Sequence, residues 1–391
     1  MIDVNEVRLL VNGVEHGGWK SVEITAGIER QVRDFTLSIT SAWPGSDAQY
    51  GIARKVKRGD ACQVYIGADL LVTGYVDGTP ISYDADSVTV GVKGRSKTGD
   101  LVDCSAINSP GSWASASIQR IAGDMAAIYG VKILTEVNTG LPLPHAIEQG
   151  ESVFESIDRM LKLRQLLATD DGQGNLVFIS VGSAGTARTA LKTGENILTA
   201  SAPLDGKDVY SEIICKGQRA GNDQDFGDAV AGESASLIDA NASRRRVLLI
   251  KSSGQTDTGT ATERVAFEMS HRKAKELETV YTGQGWRQAN GDLWRHNQLV
   301  RVIDPIVGFD AEMVVAEITY SLSDAGTICS LQVGPVDGYL NNNGKKGAKK
   351  DAAAAGGDWA DVKPADSKAP RVNNTNKVVK GDDWSDVKAK R

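Results

Sequence analysis

Along the first hundred residues, apolar and polar positions alternate in short runs. Val7-Arg8-Leu9-Leu10-Val11 runs into Asn12-Gly13, a pair that favours a tight hairpin turn. The same period of two marks residues 19–24, 35–39, 62–66 and 87–92, and residues 71–76 supply another strand. Six or so short strands with close turns, and no helical run between them, predict a small barrel or sandwich over 1–98.

The period changes after Cys104. Ser117 precedes apolar residues at Ile118, Ile121, Ala122 and Met125, and Gly130 closes the run, which predicts an N-capped amphipathic helix. A second helix over 151–168 would bury Val153, Phe154, Ile157, Leu161 and Leu167. It leads into a strand at 166–169, a glycine turn at 170–175 and a strand at 176–179. Residues 99–200 are therefore expected to form a mixed α/β domain.

Strand character returns at 209–217, followed by a polar, Gly- and Asp-rich stretch to 240 that reads as a long loop. Arg244-Arg245-Arg246 opens a strand, and a charged helix is expected over 261–278. Four apolar runs at 279–286, 299–303, 313–320 and 327–333 complete a second β set. The divisions are 1–98, 99–200, 201–240 (a first strand of the second β set, then the loop), 241–284 (strand and helix), 285–337 and 338–391.

Residues 338–391 have another texture, rich in Lys, Asp, Ala, Gly and Asn. They cannot bury enough surface to offset chain entropy, so disorder in isolation is expected. Yet they hold the one clear repeat of the sequence. Asp358-Trp359-Ala360-Asp361-Val362-Lys363 recurs as Asp383-Trp384-Ser385-Asp386-Val387-Lys388. A disordered segment has no need of tryptophan, so Asp358, Trp359, Asp361, Val362 and Lys363, with Asp383, Trp384, Asp386, Val387 and Lys388, are candidate partner-binding residues. The bland alternatives are a recent duplication without a role, or a tail folded back on its own body.

Charge separates the same two regions. From Asn341 onward 12 basic residues stand against 7 acidic ones, which leaves 32 against 43 in residues 1–340. An acidic body argues against specific nucleic-acid binding, though DNA could slide past such a surface without sticking. No run approaches the ~20 apolar residues of a membrane span, and the N-terminus lacks signal-peptide character. A protein made and kept in a cytoplasm until it joins something larger is expected.

Candidate chemistry is sparse. Cys62, Cys104, Cys215 and Cys329 lie far apart and read as small buried hydrophobes in a reduced protein. His16, His145, His271 and His296 show no metal-ligand spacing, and no cofactor is expected. The stretch from Gly94 to Asp100 fails as a phosphate loop, because Asp100 follows the second glycine where a lysine is required. Glu148 with Glu151, or Asp170 with Asp171, could serve as an acid/base pair for sugar hydrolysis, but carboxylates beside glycines more often form turns. Trp286, Trp294, Arg287 and Arg295 flank Asn290-Gly291 and read as a packed hairpin rather than a stacking platform. Arg244 to Arg246 is too short for a nucleic-acid patch.

The stretch Gly94-Arg95-Ser96-Lys97-Thr98-Gly99-Asp100-Leu101-Val102-Asp103, followed by Trp113 and the helix from Ile118 to Gly130, resembles the hub family of Mu-like phage baseplates. There a GR-x-K-x-x-D-L-x-D stretch closes the first barrel. Gly18-Trp19 to Glu29 is similar to that family's opening strand pair, and Val209 to Gly217 to the strand that starts its second barrel. The block containing Trp286, Gly291-Asp292-Leu293-Trp294, Asp304-Pro305 and Met313-Val314-Val315 resembles these hubs and the valine-glycine-repeat spike proteins of type VI secretion. The resemblance covers residues 1–337 and leaves the tail unaccounted for.

The resemblance implies a mainly β chain with an α+β insertion: two tube-like antiparallel β-barrel domains and a mixed α/β domain, ahead of the disordered tail. It implies a non-enzymatic homotrimer of the virion tail baseplate, assembled in the host cytoplasm. The trimer would join the sixfold tail tube protein to a threefold central spike protein and leave a channel for DNA. The tail motifs would then present six tethers to baseplate wedge proteins, or bind the tape-measure protein. Two other readings stand beside it. A cell-wall hydrolase hub would need a catalytic domain, and a type VI secretion spike would ordinarily need a long β-helical needle after the barrels.

Overall fold

The computed structural model describes residues 4–42, 56–84, 87–218, 234–255 and 258–339; both tryptophan motifs of the tail lie outside the described residues. The chain is mainly β, with a mixed α/β insertion.

β1 (Val7–Val11) and β2 (Val14–His16) form the expected hairpin, with Asn12 and Gly13 at φ 49° and 82°. β3 (Ser21–Gly27), β4 (Asp34–Ala42), β5 (Ala61–Ile66), β6 (Asp69–Gly78), β7 (Ile81–Tyr83) and β8 (Ser87–Ser96) complete a first unit. Their antiparallel order is β3-β4-β8-β6-β5-β1-β2, with β7 also on β8. The alternation read from sequence is the core face: Leu9, Val22, Ile24, Leu37, Val64, Ile66, Val72 and Val92 are buried.

The insertion carries α1 (Gly99–Asp103), β9 (Ser112–Ala116), α2 (Ile118–Ala126), β10 (Ile133–Thr135), β11 (Leu143–Ala146), α3 (Val153–Arg164), β12 (Leu167–Asp170) and β13 (Leu176–Ile179). α2 starts at Ser117, whose hydroxyl accepts from the Arg120 N–H, and buries Ile118, Ile121, Ala122 and Met125 as its spacing predicts. α3 opens with a capping box between Ser152 and Glu155. It is shorter than expected: Gln165 turns left-handed (φ 55°), so Leu167 lies on β12 instead. These helices pack on each other and on the sheet β10-β13-β12, around Leu101, Met125, Ile157, Leu161 and Phe178.

β14 (Leu191–Lys192), β15 (Thr199–Ser201), β16 (Glu212–Gln218), β17 (Ser234–Ile238) and β18 (Val247–Gln255) precede α4 (Thr258–Glu276). β19 (Thr279–Gln284), β20 (Leu299–Asp304), β21 (Phe309–Ser323) and β22 (Gly326–Pro335) follow. Three differences from the sequence reading stand out. β16, expected to begin the second β set, instead joins β17 and β18 in a small sheet whose inner face packs Ile213, Cys215 and Leu248 on Ala261, Val265 and Met269 of α4. β17 lies within the stretch expected to be loop; its Ser-Ala-Ser start hides a strand that β16 supplies with a ladder. Gly338 and Tyr339, assigned from sequence to the tail, belong to the folded body. Tyr339 is 1% exposed and bonds Glu278, while the Gly338 carbonyl meets His271 Nδ1 at 3.0 Å.

The remaining strands repeat the order of the first unit. β15-β19-β22-β21-β20-β14 follows the path β3-β4-β8-β6-β5-β1, and both sets are in the same sequence order. Adding 239 to the numbers of β8 gives Gly326–Pro335, the bounds of β22. The same shift carries the β6–β8 register, Val76 opposite Gly94, onto Val315 opposite Val333. It also carries the bulge between Val76 and Gly78 onto the one between Val315 and Glu317. β7 then corresponds to Tyr320–Leu322, since Ile81 faces Val90 as Tyr320 faces Cys329. The units differ at the last position: β1 is antiparallel to β5, whereas β14 is parallel to β20.

Candidate assembly surfaces

The two units are joined inside the chain by a strand ladder. β3 pairs antiparallel with the C-terminal half of β21, from Val22 opposite Leu322 to Gly27 opposite Glu317. Ile24 and Tyr320 meet in this joint and are buried, and Thr25 and Thr319 bond through their hydroxyls at 3.2 Å. At its rim Arg30 bridges Glu317 (3.4 Å) and Asp34 (2.7 Å). Burial outweighs that pairing at Asp34, whose carboxyl sits above its ordinary range.

The motif that carries the family resemblance is a bracket between the first unit and the insertion. Arg95, near the end of β8, reaches Asp77 on β6 (2.7 Å) and Asp103 on α1 (2.5 Å). Hydrogen bonds from Arg95 hold the Asp103 carboxyl below its ordinary range. Leu101 of the same motif is fully buried in the insertion core, and the Ser96 and Thr98 hydroxyls bond at 2.8 Å. A second bracket forms at Asp69, which takes Arg287 and Arg295 at 3.0 Å each. It ties the β5–β6 turn to the hairpin in which Trp286 and Trp294 are buried and the Trp294 N–H donates to the Trp286 carbonyl, as the sequence predicts.

The carboxylates that could have been paired for acid/base chemistry are otherwise engaged. Glu148 and Glu151 both bind Arg159, at 2.7 and 2.9 Å. Asp171 caps the β12–β13 turn through the N–H groups of Gln173 and Asn175, and Asp170 is locked to Arg33. His145 sits beside the Ser156 hydroxyl at 2.8 Å, its imidazole held below the ordinary value by burial and by Arg159. Cys62, Cys215 and Cys329 are buried, and burial pushes the Cys62 thiol up to about 12. Among the described residues no group of three or more His, Cys, Asp or Glu is placed to hold a metal ion.

Three family descriptions match in succession. Residues 6–96 match the N-terminal part of the Mu phage baseplate assembly protein GpP-like family. Residues 98–180 match the second domain of gp44-like baseplate hub proteins. Residues 257–342 match the fourth domain of GpP. The chain is 30% identical over 346 residues to the baseplate hub protein gp44 of Escherichia phage Mu, covering 86% of this chain and 89% of gp44. It belongs to the Mu-type baseplate hub family.

Solved structures agree. The 43 kDa tail protein of prophage MuSo2 from Shewanella oneidensis is 34% identical, with a TM-score of 0.75 over 86% of this chain and 99% of that one. A tail protein from Neisseria meningitidis, 20% identical, shares the fold with a TM-score of 0.72 over 84% of this chain and 96% of that one. A type VI secretion component of Escherichia coli shares it more distantly, at 11% identity and a TM-score of 0.50 over 85% of this chain and 78% of that one. The baseplate hub is thus a structural protein of the phage virion tail, related in fold to type VI secretion components. What sequence reasoning missed are the surfaces that this duplicated architecture exposes. They include, among the described strands, the outer sides of β7 and β15, and the outer face of the small sheet, where Ile238, Val247 and Leu249 are exposed. The signal that finds the edges is strand register, which no single-residue pattern carries.

Proposed function

We propose that the hub works as a ring of three chains that adapts the sixfold tail tube to a threefold central spike and leaves a channel for DNA. The duplicated strand order carries this reading. Each chain presents two equivalent β units, so three chains offer six equivalent positions while the ring as a whole keeps threefold symmetry. The mechanism is shape and buried interface, with no bond made or broken. Arg33, Arg95 and Asp69 serve it by fixing the insertion and the hairpin to the β units, so that each chain docks as a rigid block. The acidic body suits a passage that DNA crosses without sticking.

The tail belongs to the same reading as a tether. Asp358 to Lys363 and Asp383 to Lys388 give each chain two copies of one motif, hence six per ring, to engage wedge proteins or the tape-measure protein. The mass in solution of the full-length chain and of a truncation ending at Asn342 tests the ring. A trimer in both supports it. A monomer in both at every concentration overturns it.

A further inference from the structure

α3 and α4 each turn one face toward a shared cavity of about 530 Å³, within the size range of pockets that hold a ligand or a partner's side chains. Phe154, Leu161 and Gln165 line it from α3 and its cap, seven and four positions apart, which puts them on one side of the helix. Arg264, Glu268 and Arg272 line it from α4 at steps of four, with Phe267 beside them. Ile28 and Leu166, both buried, complete an apolar lining.

Two polar features of this lining are incompletely matched. The first is the Gln165 side chain, which is 6% exposed yet makes no hydrogen bond among the described residues. Its backbone is pinned, with φ at 55° and the N–H donating to the carbonyls of Leu161 and Lys162. A buried amide without a partner costs stability, and it carries a donor and an acceptor side by side, the complement of a peptide group. The second feature is on α4, where the largely buried guanidiniums of Arg264 and Arg272 share Glu268, at 3.1 and 2.7 Å. Among the described residues Glu268 is the one carboxylate paired with either; Arg272 otherwise meets the Asp208 carbonyl and the face of Tyr210. Asp158 and Glu29, also at the cavity, are matched by Lys162 and Lys275. Asp208, the remaining acid, is exposed, where water screens it.

We infer that this cavity receives a short extended segment of another protein, in which a large apolar side chain stands next to an aspartate or glutamate. The apolar side chain fills the space lined by Phe154, Leu161 and Phe267, as anchors of protein interfaces do. The segment's backbone bonds the Gln165 amide. Its carboxylate joins Glu268 on the arginine pair, so that two guanidiniums meet two carboxylates in charge-assisted bonds. Burial on both sides of the cavity makes these polar contacts selective, because a segment lacking either group leaves the amide or an arginine unmatched. The site lies within one chain, so it goes beyond the ring proposed above and does not depend on it.

The probe is the blocked peptide acetyl-Gly-Asp-Trp-Gly-amide, titrated calorimetrically into the full-length chain, with solution mass measured in parallel. Expected is saturable binding of one peptide per chain. It should weaken about tenfold when the probe's aspartate becomes asparagine, and be lost when its tryptophan becomes alanine. In Arg264→Gln the aspartate and asparagine probes should bind alike, and in Gln165→Leu both should weaken together. Thermal unfolding checks that each variant is folded, and where Gln165→Leu is not, Arg264→Gln decides alone. No binding to the unaltered chain, or equal binding of the two probes to it, overturns the proposal. Binding that both folded variants leave unchanged puts the probe elsewhere and overturns it as well. A probe that lowers the hub's solution mass as it binds shows a second copy in the cavity and overturns the outside partner.

Discussion

Arg33 and Asp170, 137 residues apart, lock the insertion to the first β unit. Arg33 Nε donates to Asp170 Oδ1 at 2.9 Å, its backbone N–H donates to Oδ2 at 3.0 Å, and its other nitrogens take the carbonyls of Leu71 and Asp170, each at 2.8 Å. The Asp170 side chain is fully buried. Burial pushes its carboxyl up, and the facing guanidinium pulls it back. Removing one partner would strand a charge in the interior, which costs about 3–5 kcal/mol. Arg33→Met should therefore lower unfolding stability by about that amount in urea titrations. Arg33→Met with Asp170→Asn should recover a large part of it. Equal losses in the single and double variants would show that packing of the arginine, and not its charge, holds the joint.

Two glycines separate close approach from mere flexibility. A Cβ on Gly74 would stand 1.8 Å from the Arg95 carbonyl oxygen, so the β6–β8 ladder tolerates no side chain there. Gly74→Ala should cost about 1–3 kcal/mol or more. Gly123, inside α2, has open space around its missing Cβ. Gly123→Ala should stabilise the chain by about 0.5–1 kcal/mol through helix propensity. Thermal unfolding of both variants checks the pair, and a stabilised Gly74→Ala would contradict the register described for β6 and β8.

Sequence pattern revealed elements whose signal is local. The Asn12-Gly13 turn, the Ser117 cap, and the alternation of β5 and β8 follow from short-range geometry and one buried face. The two β sets were expected, but their strand-for-strand correspondence escaped because equivalent positions carry unlike residues: Gly74 matches Met313, Gly94 matches Val333, and Pro80 matches Thr319. Strand register is a property of backbone pairing, and different side chains satisfy it equally well. The Arg33–Asp170 lock was hidden for another reason. Arg33 lies in no motif, Asp170 reads from sequence as a turn carboxylate, and only the folded chain brings them together.

Protonation should loosen the insertion. Burial, with Arg159 nearby, holds the His145 imidazole below its ordinary value, so the folded chain resists a proton that the unfolded chain accepts near pH ~6.5. The resulting stability is fully present above ~6.5 and declines as pH falls from there toward the folded value. His145→Gln keeps a hydrogen-bonding group beside Ser156 but cannot titrate. Its urea midpoint should fall less than that of the unaltered chain between pH 7.5 and 5.5. An equal fall in both would place the titrating group elsewhere.

The tail motifs should act on assembly without touching the ring. Trp359 and Trp384 are the largest apolar side chains of their two repeats, and each stands between acidic residues that could orient a basic partner surface. Trp359→Ala together with Trp384→Ala should leave the solution mass of the hub unchanged and reduce the yield of complete baseplates on complementation of a hub-deficient phage. A single substitution should cost less than the pair, because the remaining copy keeps the tether's local concentration high. Baseplates formed at full yield by the double variant would remove the tether from the hub's function. A change in solution mass would instead assign the tryptophans to the ring itself.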